Sequence, residues 1–228
     1  MWLPDRFKRR FSGRMGRGDS QGAAALARKY AKAFPEDETG WALGQAARRA
    51  GDLEGAEEAF RQARAVAPTP WNEYNLSRVL ASEDKTMDAR TILESLVTSE
   101  TTIDQFYGHL GLFSVDTKEH RWDAARAHGR AAEQLIPADR PRWSAELGSI
   151  AADIPAENDW AERLLREGAR TGEARVYVLL ALAVDDRHPE EARTLLHQAR
   201  DTWPGDPGEL DRVLPDPRLD TSADRAMA

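Results

Sequence analysis

Small and aromatic side chains recur along this chain with a period of about 34 residues, and no other feature restricts its fold as tightly. Leu43-Gly44, Ala47, Gly51-Asp52-Leu53, Ala56, Phe60, Ala63 and Pro68 show the pattern most completely. Apolar or small residues fall at three- and four-residue steps, a Gly-Asp pair breaks the run, and a proline closes it. That is two amphipathic helices joined by a tight turn and then stopped. The same register returns at Leu76, Leu80, Ala89, Leu93 and Leu96, and again at Leu110-Gly111, Trp122, Ala125, Ala132 and Pro137. Leu147-Gly148, Ala151, Trp160 and Leu164 form a fourth unit, and Leu179, Ala183, Ala192, Leu196, Ala199 and Pro204 a fifth. The second-helix anchors Ala56, Ala89, Ala125, Trp160 and Ala192 lie 33, 36, 35 and 32 residues apart. Small residues such as Gly44 and Ala56 let the helices of a pair approach, whereas Phe60, Leu93 and Leu196 fill the space toward the next pair. No single pair covers its own apolar face, so stability must come from stacking.

Composition agrees with a short helical array and removes other classes. The chain has 228 residues, 41% hydrophobic and 31% charged, with no cysteine. Disulfide scaffolds and cysteine-based metal or redox chemistry are therefore excluded. The longest apolar run, Val176 to Val184, is nine residues, about half of the ~20 that a membrane-spanning helix requires.

With five units in register, the chain resembles the tetratricopeptide repeat (TPR) family over roughly residues 36–204. The first unit matches best, from Trp41 through Leu43-Gly44 and Gly51-Asp52-Leu53 to Pro68. Ser77 replaces the first-helix glycine of the second unit. Trp160 replaces a small residue in the fourth, where its bulk requires neighbours to make room. The resemblance implies an all-α fold, a right-handed α-solenoid of stacked antiparallel helix pairs. On this reading residues 21–204 are the solenoid, with a lone first helix (Ala23, Leu26, Ala27, Tyr30, Phe34) followed by about five helix pairs.

The resemblance also implies that the first helices line a concave face where a segment of a partner protein lies. The groove positions would be Glu38, Trp41, Gln45, Arg48 and Arg49 in the first unit, and Trp71, Tyr74, Arg78 and Ser82 in the second. Tyr177, Ala181 and Asp185 would be theirs in the last. Trp41, Trp71, Tyr74 and Arg78 are the expected anchor, because aromatic and arginine side chains dominate binding hot spots. Ordinary packing between repeats is the alternative for the aromatics. Chaperone-binding members grip a C-terminal carboxylate with a basic clamp. Asn75 and Gln45 sit near clamp positions, but Trp41 stands where a lysine is required and Gln105 and His109 replace later basic residues. The gripping charge is missing, and that specificity is not carried over.

Charge is unevenly distributed. Residues 1–18 carry six basic side chains against Asp5 alone, a net of +5, whereas the remainder has 26 basic and 38 acidic side chains, a net of −12. Residues 1–20 therefore read as a basic arm. Leu3, Phe7 and Phe11 fall at four-residue steps, with Lys8 and Arg9 on the other side and Arg10 and Arg14 adding charge. Such a helix suits an anionic membrane surface. Gly13, Gly16 and Gly18 limit it to about two turns, below the ~12 residues needed in water. The alternatives are a disordered arm, one folded against the acidic body, or, less favoured, one that meets nucleic acid. Arg9-Arg10 lacks the apolar stretch that an export leader needs, so the expected compartment is the cytoplasm, at the membrane surface if the arm binds lipid.

Catalytic patterns are missing from the sequence. His109, His120, His128, His188 and His197 show no spacing suited to metal ligation on a helix. Glu57-Glu58, Asp185-Asp186 and Glu190-Glu191 are adjacent and diverge on a helix. No glycine-rich phosphate loop exists, and no metal, cofactor or enzymatic activity is expected. Residues 205–228 read as a short capping turn (Glu209 to Leu214) and an acidic tail. A cap that thin leaves Leu179, Leu182, Leu195 and Leu196 partly uncovered, so stacking against a second copy is a further expectation.

Overall fold

The structure, a computed structural model, describes residues 3–16, 18–33 and 40–203. Among these residues there are twelve α-helices, one 3-10 turn and no strand. The chain divides into two compact units, Met1–Ile136 and Pro137–Ala228.

In the first unit, α1 (Leu3–Gly16) packs on α2 (Ser20–Ala33), and α3 (Gly40–Arg49) on α4 (Leu53–Val66). The next pairs are α5 (Pro70–Ser82) with α6 (Thr86–Val97), and α7 (Thr102–Lys118) with α8 (Trp122–Gln134). Within this unit α2, α4 and α6 also pack on the first helix of the next pair, and α5 touches α7. This is the stacked helix-pair pattern anticipated from the repeat. At Gly44, an added Cβ would lie 2.6 Å from the Phe60 ring, so glycine is what lets α3 and α4 close.

One turn geometry joins the two helices of all four pairs. Gly18, Gly51, Asp84 and His120 have left-handed backbone (φ 73°, 80°, 61° and 57°). At each, the left-handed residue and its successor donate back to the last turn of the helix. Thus Gly51 N donates to Arg48 O at 3.2 Å and Asp52 N to Ala47 O at 3.0 Å. This double closure satisfies carbonyls that a helix end leaves without partners. Asp84 and His120 are among the few side-chain types that tolerate this conformation.

After the first two of these turns an aspartate caps the next helix. Asp19 Oδ1 accepts from Gly22 N (2.8 Å) and Asp52 Oδ1 from Gly55 N (2.9 Å). Gly18-Asp19 thus repeats Gly51-Asp52 at a distance of 33 residues.

That repetition corrects two expectations. The helix at 20–33 is not alone, because α1 pairs with it. Nor does α1 stop after two turns: it runs for 14 residues through Gly13. Its stability comes from docking, since Phe7 and Phe11 are each 5% exposed in a core with Ala23, Ala27, Tyr30 and Ala42. Packing of an apolar face overrides weak propensity.

The second unit holds α9 (Pro141–Ala151) against α10 (Asn158–Gly168), then a 3-10 turn (Ala169–Thr171). It ends with α11 (Ala174–Val184) against α12 (Pro189–Thr202). Its core is Leu165, Val176, Leu180, Val184, Leu195, Leu196 and Ala199 with their neighbours. Trp160 is accommodated and buried, and Leu195 and Leu196 are buried as well, whereas Leu182 is 56% exposed. Ala181, expected in the groove, is 1% exposed and belongs to this core. The expected capping turn and tail at 205–228 lie outside the described residues, as does Glu38.

Candidate partner-binding face

The first helices of the last three pairs in the first unit, α3, α5 and α7, present the candidate face. Asn75 ties two of them together. Its Oδ1 accepts from Gln45 Nε2 (2.7 Å), and its Nδ2 donates to Trp71 O (2.7 Å). Gln45 Oε1 in turn accepts from Arg48 Nη2 (3.3 Å). Asn75 is fully buried, so its amide is committed to holding α3 and α5 in register rather than to a ligand.

Beside this link lies an aromatic cluster that spans α5 and α7. Trp71, Tyr74 and Tyr107 sit with ring centroids 6.0 Å (Trp71–Tyr74), 5.7 Å (Trp71–Tyr107) and 5.4 Å (Tyr74–Tyr107) apart. Trp71 and Tyr107 are half-buried, but Tyr74 is 1% exposed. Tyr74 therefore lies beneath the face. The guanidinium of Arg78 lies 5.4 Å from the Tyr74 ring centroid, in the position of a cation–π contact. Among the described residues no carboxylate comes within 4.0 Å of it.

One turn further along the same helices is an open depression of about 140 Å³, lined by Arg48, Ser77, Arg78, Ala81, Ser82, Gly111, Ser114, Val115 and Lys118. Lys118 Nζ donates to Ala81 O and to Asp84 Oδ1 (2.9 Å). Three cationic side chains from three helices thus border one concavity.

The other expected site residues are dispersed. Trp41 is half-buried and packs edge-on against Phe11 (centroids 6.0 Å apart), with the N-terminal core rather than with Trp71. Arg49 is exposed at the end of α3. In the arm, Phe7 stacks on Tyr30 (4.2 Å), so the apolar stripe of Phe7 and Phe11 is covered by protein. A membrane could reach these rings only if α1 left its core. Arg9 and Arg10 are exposed, and Arg14 is ion-paired with Asp19. The side chains of Leu3 and Lys8 lie outside the described residues.

Tyr107, Lys118 and Ser114 were not anticipated from the sequence. Tyr107 stands 33 residues after Tyr74, so the repeat itself carried that signal.

Behind the face, an ion network centred on buried Arg90 and Asp116 joins α6 to α7 and reaches the surface at Glu119 and Arg121. Arg90 Nη2 binds Asp116 Oδ1 and Glu119 Oε2, each at 2.5 Å, and Arg121 Nη2 approaches Asp116 at 3.2 Å. Hydrogen bonding to Arg90 holds the Glu119 carboxyl below its usual range. His128 Nε2 lies 3.8 Å from Asp116 Oδ2, and its Nδ1 is 3.1 Å from His109 Nδ1. Burial pushes both imidazoles below the usual histidine range, and for His109 the neighbouring ring adds to the effect. Among the described residues no three metal-ligating side chains converge, and no helix is long and apolar enough to cross a membrane.

Comparison with solved structures gives the architecture its parallel. A chain of the crystal structure of the APC/C hetero-tetramer Cut9–Hcn1 superposes with a TM-score of 0.54 at 18% identity, covering 89% of this chain and 40% of that one. PilW, a type IV pilus biogenesis factor, superposes with a TM-score of 0.54 at 14% identity, covering 98% of this chain and 99% of PilW. The fold is tetratricopeptide-like. This TPR-like chain spans less than half of the Cut9–Hcn1 neighbour and nearly all of PilW. At such identities the likeness is one of fold. No family model and no curated protein matches the sequence.

Proposed function

We propose that this TPR-like chain is a non-enzymatic interaction scaffold, an adaptor that holds a segment of a partner protein along the α3–α5–α7 face. The observation that carries the reading is Arg78, whose guanidinium lies over Tyr74 beside half-buried Trp71 and Tyr107 without a carboxylate partner among the described residues. Aromatic and arginine side chains that combine partial burial with a free face are the residue types on which binding energy concentrates. A planar cation already partly desolvated by aromatic rings loses little water when a partner covers it. Trp41, placed 6.0 Å from Phe11, is left out of the anchor, and Tyr107 takes its place.

The test is affinity capture followed by mass spectrometry, comparing the natural chain with the double variant Trp71→Ala, Arg78→Ala. The expected result is a loss of specifically captured partner by tenfold or more, with helicity by circular dichroism unchanged. Undiminished capture by the double variant would place the binding surface elsewhere.

A further inference from the structure

We propose that the depression between α3, α5 and α7 receives the phosphoryl group of a phosphorylated serine or threonine in the bound partner segment. The inference rests on the scaffold reading above and names the chemistry of its ligand.

Its first support is charge. The chain as a whole carries a formal −7, yet Arg48, Arg78 and Lys118 converge on one concavity. Cations gathered against the prevailing sign form a local well for an anion.

Donor geometry then selects the kind of anion. A guanidinium offers five N–H donors, and Arg78 gives none of them to another described group. Lys118 directs two donations to Ala81 O and Asp84 Oδ1, leaving one of its three protons. Ser114 adds a hydroxyl from α7. Ser77 and Ser82 already donate to Tyr74 O (2.7 Å) and Arg78 O (2.9 Å), so they shape the wall rather than bind. A carboxylate presents two oxygens in one plane and is satisfied by a single fork. A phosphoryl group presents three strong acceptor oxygens and up to two charges. Donors arriving from different helices match the second arrangement.

Arg78 also connects the depression to the aromatic cluster. A phosphoryl group held there places the adjoining residues of the segment against Trp71 and Tyr107.

Fluorescence anisotropy of labelled nine-residue peptide libraries, added to the full chain, tests this directly. The libraries carry a fixed central phosphoserine, serine or glutamate in otherwise identical random sequence. The phosphoserine library is expected to bind at least tenfold more tightly than either other. Lys118→Gln and Arg78→Gln should each abolish that preference, and Ser114→Ala should reduce it severalfold. Arg166→Gln, remote in sequence on α10, should leave it intact. Because Arg78→Gln also disturbs Tyr74, Lys118→Gln, which leaves the rings untouched, must lose the preference with an unchanged thermal midpoint.

Equal binding of the glutamate and phosphoserine libraries would overturn the phosphoryl assignment. So would equal binding of the serine library, or a preference that survives Lys118→Gln. Lys118-dependent pelleting with phosphatidylserine vesicles, without phosphopeptide preference, would assign the depression to a lipid headgroup instead and overturn the proposal. In each of these cases, capture that still falls in the Trp71→Ala, Arg78→Ala variant preserves the scaffold reading, whereas undiminished capture sinks that reading too.

Discussion

The four helix pairs of the first unit and the two of the second follow one repeat but close their turns differently, and among the described residues only the first buries an arginine ion pair. In the first unit a left-handed residue closes the turn within every pair, at Gly18, Gly51, Asp84 and His120. In the second, Ala156 and Gly172 are left-handed, but Gly172 follows a 3-10 turn and α11 reaches α12 without such a residue. Surface arginine bridges occur in both units, as at Arg61–Glu57 and Arg64–Glu73 of the first, and Arg140 of the second lies over Trp143. Among the described residues, however, only the first unit buries an arginine ion pair. Arg166, Arg170, Arg187 and Arg193 of the second unit each grip a nearby carboxylate at the surface. In the first unit Arg90 is buried in an ion network, and Arg78 faces aromatic rings. The same residue type thus does three jobs, decided by what the stacked helices place beside it.

The sharpest way to break this comparison is at Asp116. Its side chain is wholly buried while that of Arg90 is only 11% exposed, so removing the carboxylate leaves a nearly buried cation with only the partly exposed Glu119, also at 2.5 Å. Asp116→Ala is expected to cost about 3–5 kcal/mol in urea unfolding, the range for breaking a buried pair from one side. A loss below about 1 kcal/mol, typical of exposed pairs, would show that the network is no different in kind from the surface bridges of the second unit.

A smaller effect is expected from the histidines next to that network. Around His128 lie Asp116, Arg90, Arg121, Glu94 and His109. Burial lowers the affinity of His109 and His128 for protons in the folded state, so the unfolded chain binds more protons around pH 6.5, the ordinary histidine value. Stability is then fully present above that pH and declines as pH falls through 6.5 toward the depressed folded values. Urea midpoints measured across this range should show the decline. His109→Gln with His128→Gln should flatten it, and an unchanged slope would mean that neither imidazole is held neutral by the fold.

How much of this was visible beforehand depends on whether a residue acts within its own repeat or across repeats. The periodic Leu43-Gly44, Ala56 and Phe60 specify local pairing, so the helix pairs from Gly40 onward were legible in order and number. The α1–α2 pair escaped notice because Leu3, Phe7 and Phe11 also fit an amphipathic helix on a membrane. The decisive sign was the Gly18-Asp19 turn, the counterpart of Gly51-Asp52. The anchor was partly legible: Trp71 and Arg78 stand together, whereas Tyr74 is drawn beneath the surface by Trp71 and Tyr107. The depression was not legible, because Arg48, Arg78 and Lys118 come from three separate repeats and only stacking makes them neighbours.

The least disruptive change sharpens the comparison from the other side. Arg166 engages Glu191 through two hydrogen bonds, 2.6 and 3.0 Å, and Glu162 through a third at 2.9 Å. The two carboxylates raise its already high proton affinity, but its side chain is 44% exposed, and water screens most of that attraction. A double-mutant cycle with Arg166→Gln and Glu191→Gln is therefore expected to give a coupling of about 0.3–1 kcal/mol, toward the upper end for surface pairs because the contact is bidentate. Added salt should shrink it, since exposed charges are screened within about 10 Å at moderate ionic strength. A coupling of about 2 kcal/mol that resisted salt would put this pair in the class of Arg90–Asp116, and the contrast between the two units would then rest on their turns alone.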